Sequence, residues 1–346
     1  MRIDSDNAQA QSLKEEAENN LKPTLEIVAT VDGERVPAKV KFGNTDFDTM
    51  QRIQNFTENR HYKGILTWQT GKTEYVGEVD FTCDWRGPKK ITTELTKVEF
   101  NGTVTLANGF KLEMVKIKAG TFTMGSPKGE LGRNYDEIQH QVTLTKDYWL
   151  GKFEVTQAQY EAIMGNNPSY FKGGNRPVEE VNWEEAKAFC NKLNERYAGK
   201  LPAGYRFDLP TEAQWEYACR AGTTTALNNG TNLTSEFGKC SNLNEVGWYD
   251  KNNEYGHNAV GQKRPNNWGL YDMHGNVSEW CRDWHAYSYT GDATDPTGPT
   301  SGSERVYRGG CWSLYASCCR SANRGGYSPD RRMSSCGFRL ALVPVQ

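Results

Sequence analysis

The chain has no run of residues long and apolar enough to cross a bilayer. No hydrophobic stretch follows Met1 as the core of a signal peptide would. It also has little net charge: 41 basic against 43 acidic residues leave −2 and a pI near 6.3, so no basic field favours nucleic acid as a partner. Histidine is scarce. The five present, His61, His140, His257, His274 and His285, are scattered, and no Ser-His-acid set or paired-carboxylate pattern marks a catalytic centre. C-x-x-C spacing is absent among the nine cysteines, which counts against a zinc ribbon or a thioredoxin-like pair. Their odd number leaves at least one thiol unpaired within the chain. Neither an internal repeat nor a low-complexity tract is found.

What is present suits a loop-rich protein of two domains. A length of 346 residues exceeds one typical domain, and 34 Gly with 10 Trp and 17 Tyr fits irregular segments that turn on glycine and are braced by large rings. Residues 1–23 read as a polar tail. Residues 24–105 read as a small all-β domain: Leu25–Val31, an Asp32-Gly33 turn, Val36–Phe42, then Tyr62–Trp68, Tyr75–Phe81 and Ile91–Val98. From 106 the pattern mixes strands with three helix starts. Thr156 with Gln159, Asn182 with Glu185 and Thr211 with Gln214 each spell a capping box, and Gly165 and Gly222 stop the first and third helices.

The densest information lies near the C-terminus. Arg305-Val-Tyr-Arg-Gly-Gly-Cys-Trp reads as a strand running into a turn, and Phe338, Leu340 and Leu342 alternate as in a strand with one buried face. Between them, residues 311–336 are expected to form a held, exposed loop. That segment carries four arginines (Arg320, Arg324, Arg331, Arg332), one acid (Asp330) and four of the nine cysteines. A loop of this length usually carries function.

Six ordered motifs give a resemblance. They are Phe122-Thr-Met-Gly-Ser, Lys152-Phe-Glu-Val-Thr-Gln, Arg176-Pro-Val-Glu-Glu-Val-Asn-Trp, Leu209-Pro-Thr-Glu-Ala-Gln-Trp-Glu-Tyr-Ala, Gly269-Leu-Tyr-Asp-Met-His-Gly-Asn-Val, and Arg308-Gly-Gly through Gly337-Phe-Arg-Leu. Together, over roughly residues 111–343, they resemble the formylglycine-generating-enzyme (sulfatase-modifying factor) domain family. The resemblance implies an α+β, C-type-lectin-like domain over 106–346 with little regular structure. The oxidase members of that family bind copper through two cysteines at the fourth and ninth positions after Gly-Gly; here those positions are Leu314 and Cys319. One thiolate does not reproduce two-thiolate Cu(I) ligation, so the expectation is a non-enzymatic protein, with a copper-dependent cysteine oxidase as the alternative.

Within the family, the segment is similar to the variable proteins of diversity-generating retroelements, in which template adenines are rewritten. That resemblance makes Gly309, Gly310, Trp312, Cys319–Arg324, Pro329, Asp330 and Gly337–Arg339 framework. The ligand-contacting variable positions become Cys311, Ser313, Leu314, Tyr315, Ser317, Cys318, Gly325, Gly326, Tyr327, Ser334, Ser335 and Cys336. All twelve are reachable by rewriting the adenines of an AAC or AAT codon; Met333 is not. Trp312, the arginines and Asp330 are the expected fixers of the loop. The resemblance also implies a possible calcium ion at Asp272, Gly275, Val277 and Glu279, oxygen donors on a tight turn, and no required cofactor. The expected role is recognition of a protein or glycan target from the extracellular face of the cell surface, by a lipoprotein whose leader is not part of this sequence.

Overall fold

The computed structural model describes residues 24–345 apart from 43, 50–51, 54–55, 58–59, 71–72, 86–87, 98–99 and 288–290, together with Gln11. The expected tail, residues 1–23, otherwise lies outside the described residues. Two compact units divide the chain, Met1–Phe100 and Asn101–Gln346. The division falls before the 105/106 boundary read from sequence, because strand Thr103–Thr105 pairs with Lys111–Ile117 of the second unit.

In the first unit Asp32 and Gly33 both take positive φ (51° and 80°), the geometry that lets a two-residue turn follow the strand twist between Thr24–Val31 and Glu34–Val36. The strand expected over Val36–Phe42 is broken. Pro37 has no N–H for a ladder, Ala38 turns its own back to the Val36 carbonyl, and Lys39–Phe42 enters a different sheet. One sheet gathers Glu34–Val36, Thr24–Val31, Arg52–Ile53 and, in parallel, Pro88–Glu94. The other orders Thr45–Asp48, Lys39–Phe42, His61–Thr70, Thr73–Thr82 and Thr96–Lys97. Leu25, Ile27, Val40, Leu66 and Val79 fill the core of this unit.

The second unit is α+β. Helices α1 (Gln157–Met164), α2 (Trp183–Tyr197) and α3 (Glu212–Arg220) start at the three capping boxes, and in each the cap side chain and the N3 side chain satisfy each other's backbone N–H. Five strands form the main sheet, in the order Thr103–Thr105, Lys111–Ile117, Tyr148–Gly151, Ala341–Pro344, Tyr205–Asp208. The C-terminal strand thus has neighbours on both sides. The alternation expected from Phe338, Leu340 and Leu342 does not hold, since Phe338 through Val343 are all buried. Arg339 turns inward within that run, bonding Glu279 and the carbonyls of Gly151 and Tyr271. Trp215, Tyr148, Leu150 and Val306 belong to one buried core, and α3 packs on strands Gly120–Met124, Ser278–Trp284 and Arg305–Arg308. A second sheet joins Arg324–Tyr327, Arg305–Arg308, Ser278–Trp284 and Cys336–Gly337, and it carries the C-terminal segment.

Candidate ligand-binding surface

Arg305–Arg308 ends at Gly309 and Gly310, with φ of 93° and 71°. A Cβ on Gly310 would lie 2.6 Å from the Cys318 carbonyl oxygen and 2.7 Å from the Cys319 Sγ. Only glycine lets the following turn fold back so closely. The chain makes a short 3-10 turn at Ala316–Cys319 and returns as Arg324–Tyr327, antiparallel to the strand it left, with Arg308 opposite Arg324 and Arg305 opposite Tyr327. The span expected as one exposed loop is therefore two loops separated by a paired strand.

What holds these loops is a set of buried arginines, each matched to carboxylates from distant parts of the chain. Arg320 is fully buried and grips Glu137 through two bonds of 2.7 and 2.6 Å; it also reaches Glu130 at 2.7 Å and the carbonyls of Ser317 and Gly132. Arg308 donates to the carbonyls of Ser321, Ala322 and Asn323 at 2.9–3.0 Å and pairs with Glu216. Arg324 binds Glu212 in the two-pronged way, at 2.7 and 2.8 Å. Burial by itself would raise the Glu137 carboxyl, but Arg320, Ser126 and the Asn134 amide hold it below the usual range. Glu130, with a single bond to Arg320, stays raised by burial. His274 completes the set: its Nδ1 bonds the Cys319 carbonyl at 2.7 Å, so Nε2 accepts the Asn228 N–H, and burial pushes its pKa down to about 4.

The expected framework run Cys319–Arg324 is buried except for Asn323, which is half-buried. The positions expected to vary divide. Ser313 and Tyr315 are exposed, while Leu314, Ser317, Cys318, Ser334 and Ser335 are partly exposed. Cys311 and Cys336 are buried at 2% and 0% exposure, so they face the interior and do not offer themselves to a ligand. Gly325, Gly326 and Tyr327 lie in the paired strand; a Cβ on Gly325 would sit 2.4 Å from the Tyr307 ring, and Tyr327 stacks on that ring at 4.3 Å. Among the described residues Asp330 pairs with no arginine. It accepts a bond from Ser328, while Arg332 pairs with Glu185 and Arg331 lies over the Tyr327 ring. Trp312 is half-buried and packs edge-on against Phe171 and Tyr255.

Sequence reasoning missed the partners. Glu212, Glu216 and Arg220 fall at i, i+4 and i+8 of α3, a charged stripe on a helix that buries Trp215, and that spacing was a readable signal. Glu130 and Glu137 gave none. Also missed were apolar side chains beside the segment: Phe237 (60% exposed) meets Tyr315 at 5.3 Å, and Tyr255 (71%) and Tyr170 (65%) flank Phe171 next to Trp312.

Cys319 is fully buried, and its thiol is held well above the ordinary value by burial, then by Cys311 and Cys318. Cys318 is raised by burial too. Among the described residues no group of three His, Cys, Asp or Glu is arranged to hold a metal. Of the four expected calcium positions, Asp272 is buried with one oxygen on the Gly261 N–H and Oδ1 without a hydrogen bond, its carboxyl pushed up to about 6 by burial. The Gly275 N–H goes to the Gly309 carbonyl and that of Val277 to Glu154. Glu279 is already committed to Arg339 and the Trp215 indole. Glu154 is a third buried acid here, raised well above its ordinary value by burial and then by Asp272 and Glu279.

Residues 105–343 match the Sulfatase-modifying factor enzyme 1-like domain family. The chain belongs to that family. Its relatives carry differing names. A chaperone protein LppX of Paenibacillus barcinonensis is 34% identical over 49% of this chain and 71% of its own length, and the mouse formylglycine-generating enzyme is 34% identical over 62% of this chain and 56% of its own. Among solved structures, Treponema denticola variable protein 1 superposes with a TM-score of 0.62 at 36% identity, over 70% of this chain and 98% of that one. PvdO from Pseudomonas aeruginosa gives 0.60 at 25%, over 71% and 99%. Membership thus spans proteins named as enzymes and proteins named otherwise, and the family fold does not choose between them. No helix among the described residues is long and apolar enough to cross a membrane.

Proposed function

We propose that the second unit is a non-catalytic binding module, displayed at the cell surface, whose 311–336 segment is diversified by a retroelement to change its target. The observation that carries this is the division of the segment by depth. Cys319, Arg320, Ser321, Ala322 and Arg324 are buried, Arg320 and Arg324 paired with distant carboxylates and the carbonyls of Cys319, Ser321 and Ala322 held by His274 and Arg308, while Ser313, Leu314, Tyr315, Ser317 and Cys318 have outward surface. A conformation fixed from beneath tolerates change above. Tyrosine and serine at the surface suit a contact patch that supplies area and adaptable hydrogen bonds. The target is a protein or glycan; the near-neutral charge offers nothing for nucleic acid, and attachment to a membrane would come from a lipid anchor upstream. The relationship to a variable protein supports the reading, as does Leu314 where an oxidase carries its first copper-binding cysteine.

The decisive test is genomic. A near-copy of the DNA for residues 311–336, differing mainly at adenines and lying beside a reverse transcriptase, is expected. A locus without one, together with turnover of a cysteine peptide by the copper-loaded protein, would establish the oxidase instead. Calcium belongs to the proposal through Asp272, whose open oxygen, with the Gly275 and Val277 carbonyls, would supply donors for a hard cation. Calcium should raise the melting temperature of the native protein and not that of Asp272→Asn; equal responses would remove the ion from the scheme.

A further inference from the structure

A cleft of about 360 Å³, which the 311–336 segment lines only through Arg324, opens between the start of α3, the end of strand Ser278–Trp284 and residues 291–299. Its walls are apolar, with Met124, Ala213, Trp284, Pro296 and Pro299 among them, and its charged lining is Glu212, Asp283 and Arg324 together with His140. Arg324 is spent on Glu212, both prongs engaged. Asp283 is left. It is 4% exposed, one oxygen takes the Glu212 N–H at 3.0 Å, and among the described residues its Oδ1 has no hydrogen-bond partner and its carboxylate no ion pair. Arg305 does not reach it, being clamped between the Trp183 and Trp284 rings and bonded to the Arg282 carbonyl.

We infer that this cleft is a second binding site, for a small organic cation that sets an ammonium group on Asp283 and a hydrocarbon body against Trp284 and the prolines. A buried carboxylate without a counter-ion is costly, and an ammonium donor entering a mostly apolar cleft relieves that cost where a neutral or anionic guest does not. Burial and the nearby Glu212 charge make Asp283 reluctant to ionise alone, which favours a guest that brings the counter-charge. The inference is independent of the function proposed for 311–336.

Benzylammonium, benzyl alcohol and phenylacetate are matched probes, to be titrated into the full chain by calorimetry with a thermal-shift readout. Benzylammonium should bind at least about tenfold more tightly than the alcohol, and phenylacetate should not bind. Asp283→Asn, which still accepts the Glu212 N–H, should lose roughly that tenfold preference. Ala293→Trp, on the short outer strand lining the cleft, should block both guests. Equal affinity for amine and alcohol, or amine binding untouched by Ala293→Trp, would overturn the proposal, and the second variant decides the matter if the first does not fold.

Discussion

Replacing Arg320 with alanine would leave Glu137 and Glu130 buried without their cation. Breaking a buried pair costs about 3–5 kcal/mol because the remaining charge is stranded, whereas forming the pair gains far less. For Arg320→Ala the expected outcome is a melting temperature lower by on the order of 10 °C, read by calorimetry. Tyr315→Ala, at an exposed site, should stay within about 0.5 kcal/mol of the native protein. Asp283 makes a prediction about pH. Burial, then the Glu212 charge, pushes its carboxyl up to about 7, above the ordinary value near 4. A group raised on folding holds its proton more tightly in the folded state, so its contribution is complete below about pH 4 and is lost as pH climbs towards 7. Urea unfolding at pH 4.5 and 7.5 should show Asp283→Asn gaining stability relative to native at the higher pH; an unchanged difference would mean that Asp283 ionises normally.

At the scale of elements, the C-terminal segment is a strand flanked by two loops, and the three pieces should tolerate change differently. Changing Ser313, Leu314, Tyr315 and Ser317 together should move the melting temperature little, since none of their side chains anchors the fold. Gly325→Ala should cost about 1–3 kcal/mol, because a methyl group there meets the Tyr307 ring. A library randomised at all twelve expected positions and sorted for folded display should therefore recover glycine at 325 and small apolar or thiol side chains at 311 and 336, with free composition at 313–315. Free variation at Gly325 would show that the strand Arg324–Tyr327 is dispensable. The helices were legible because their caps are local: a side chain and an N–H three residues apart decide them. The strand pairing of Arg324–Tyr327 was not, since Gly-Gly-Tyr carries no apolar alternation and its partner supplies the register.

The whole molecule consists of two units with separate hydrophobic cores, and residues 101–346 produced alone should fold with the C-terminal segment held as it is in the full chain. Matching amide chemical shifts over 305–340 in the two proteins would show this; dispersed shifts in the full chain only would refute it. The sequence alone determined the family, the three helices and the Asp32-Gly33 hairpin, all of which rest on residue identity or on contacts a few positions apart. Tertiary structure decided which side of each residue meets water. Cys311 and Cys336 turn inward, Arg339 is buried in a run that looked half-exposed, and Glu137 reaches Arg320 across 183 residues of chain. Those outcomes depend on pairing charges in a low-dielectric interior from segments far apart in sequence, and no local pattern of residues encodes which acid meets which arginine.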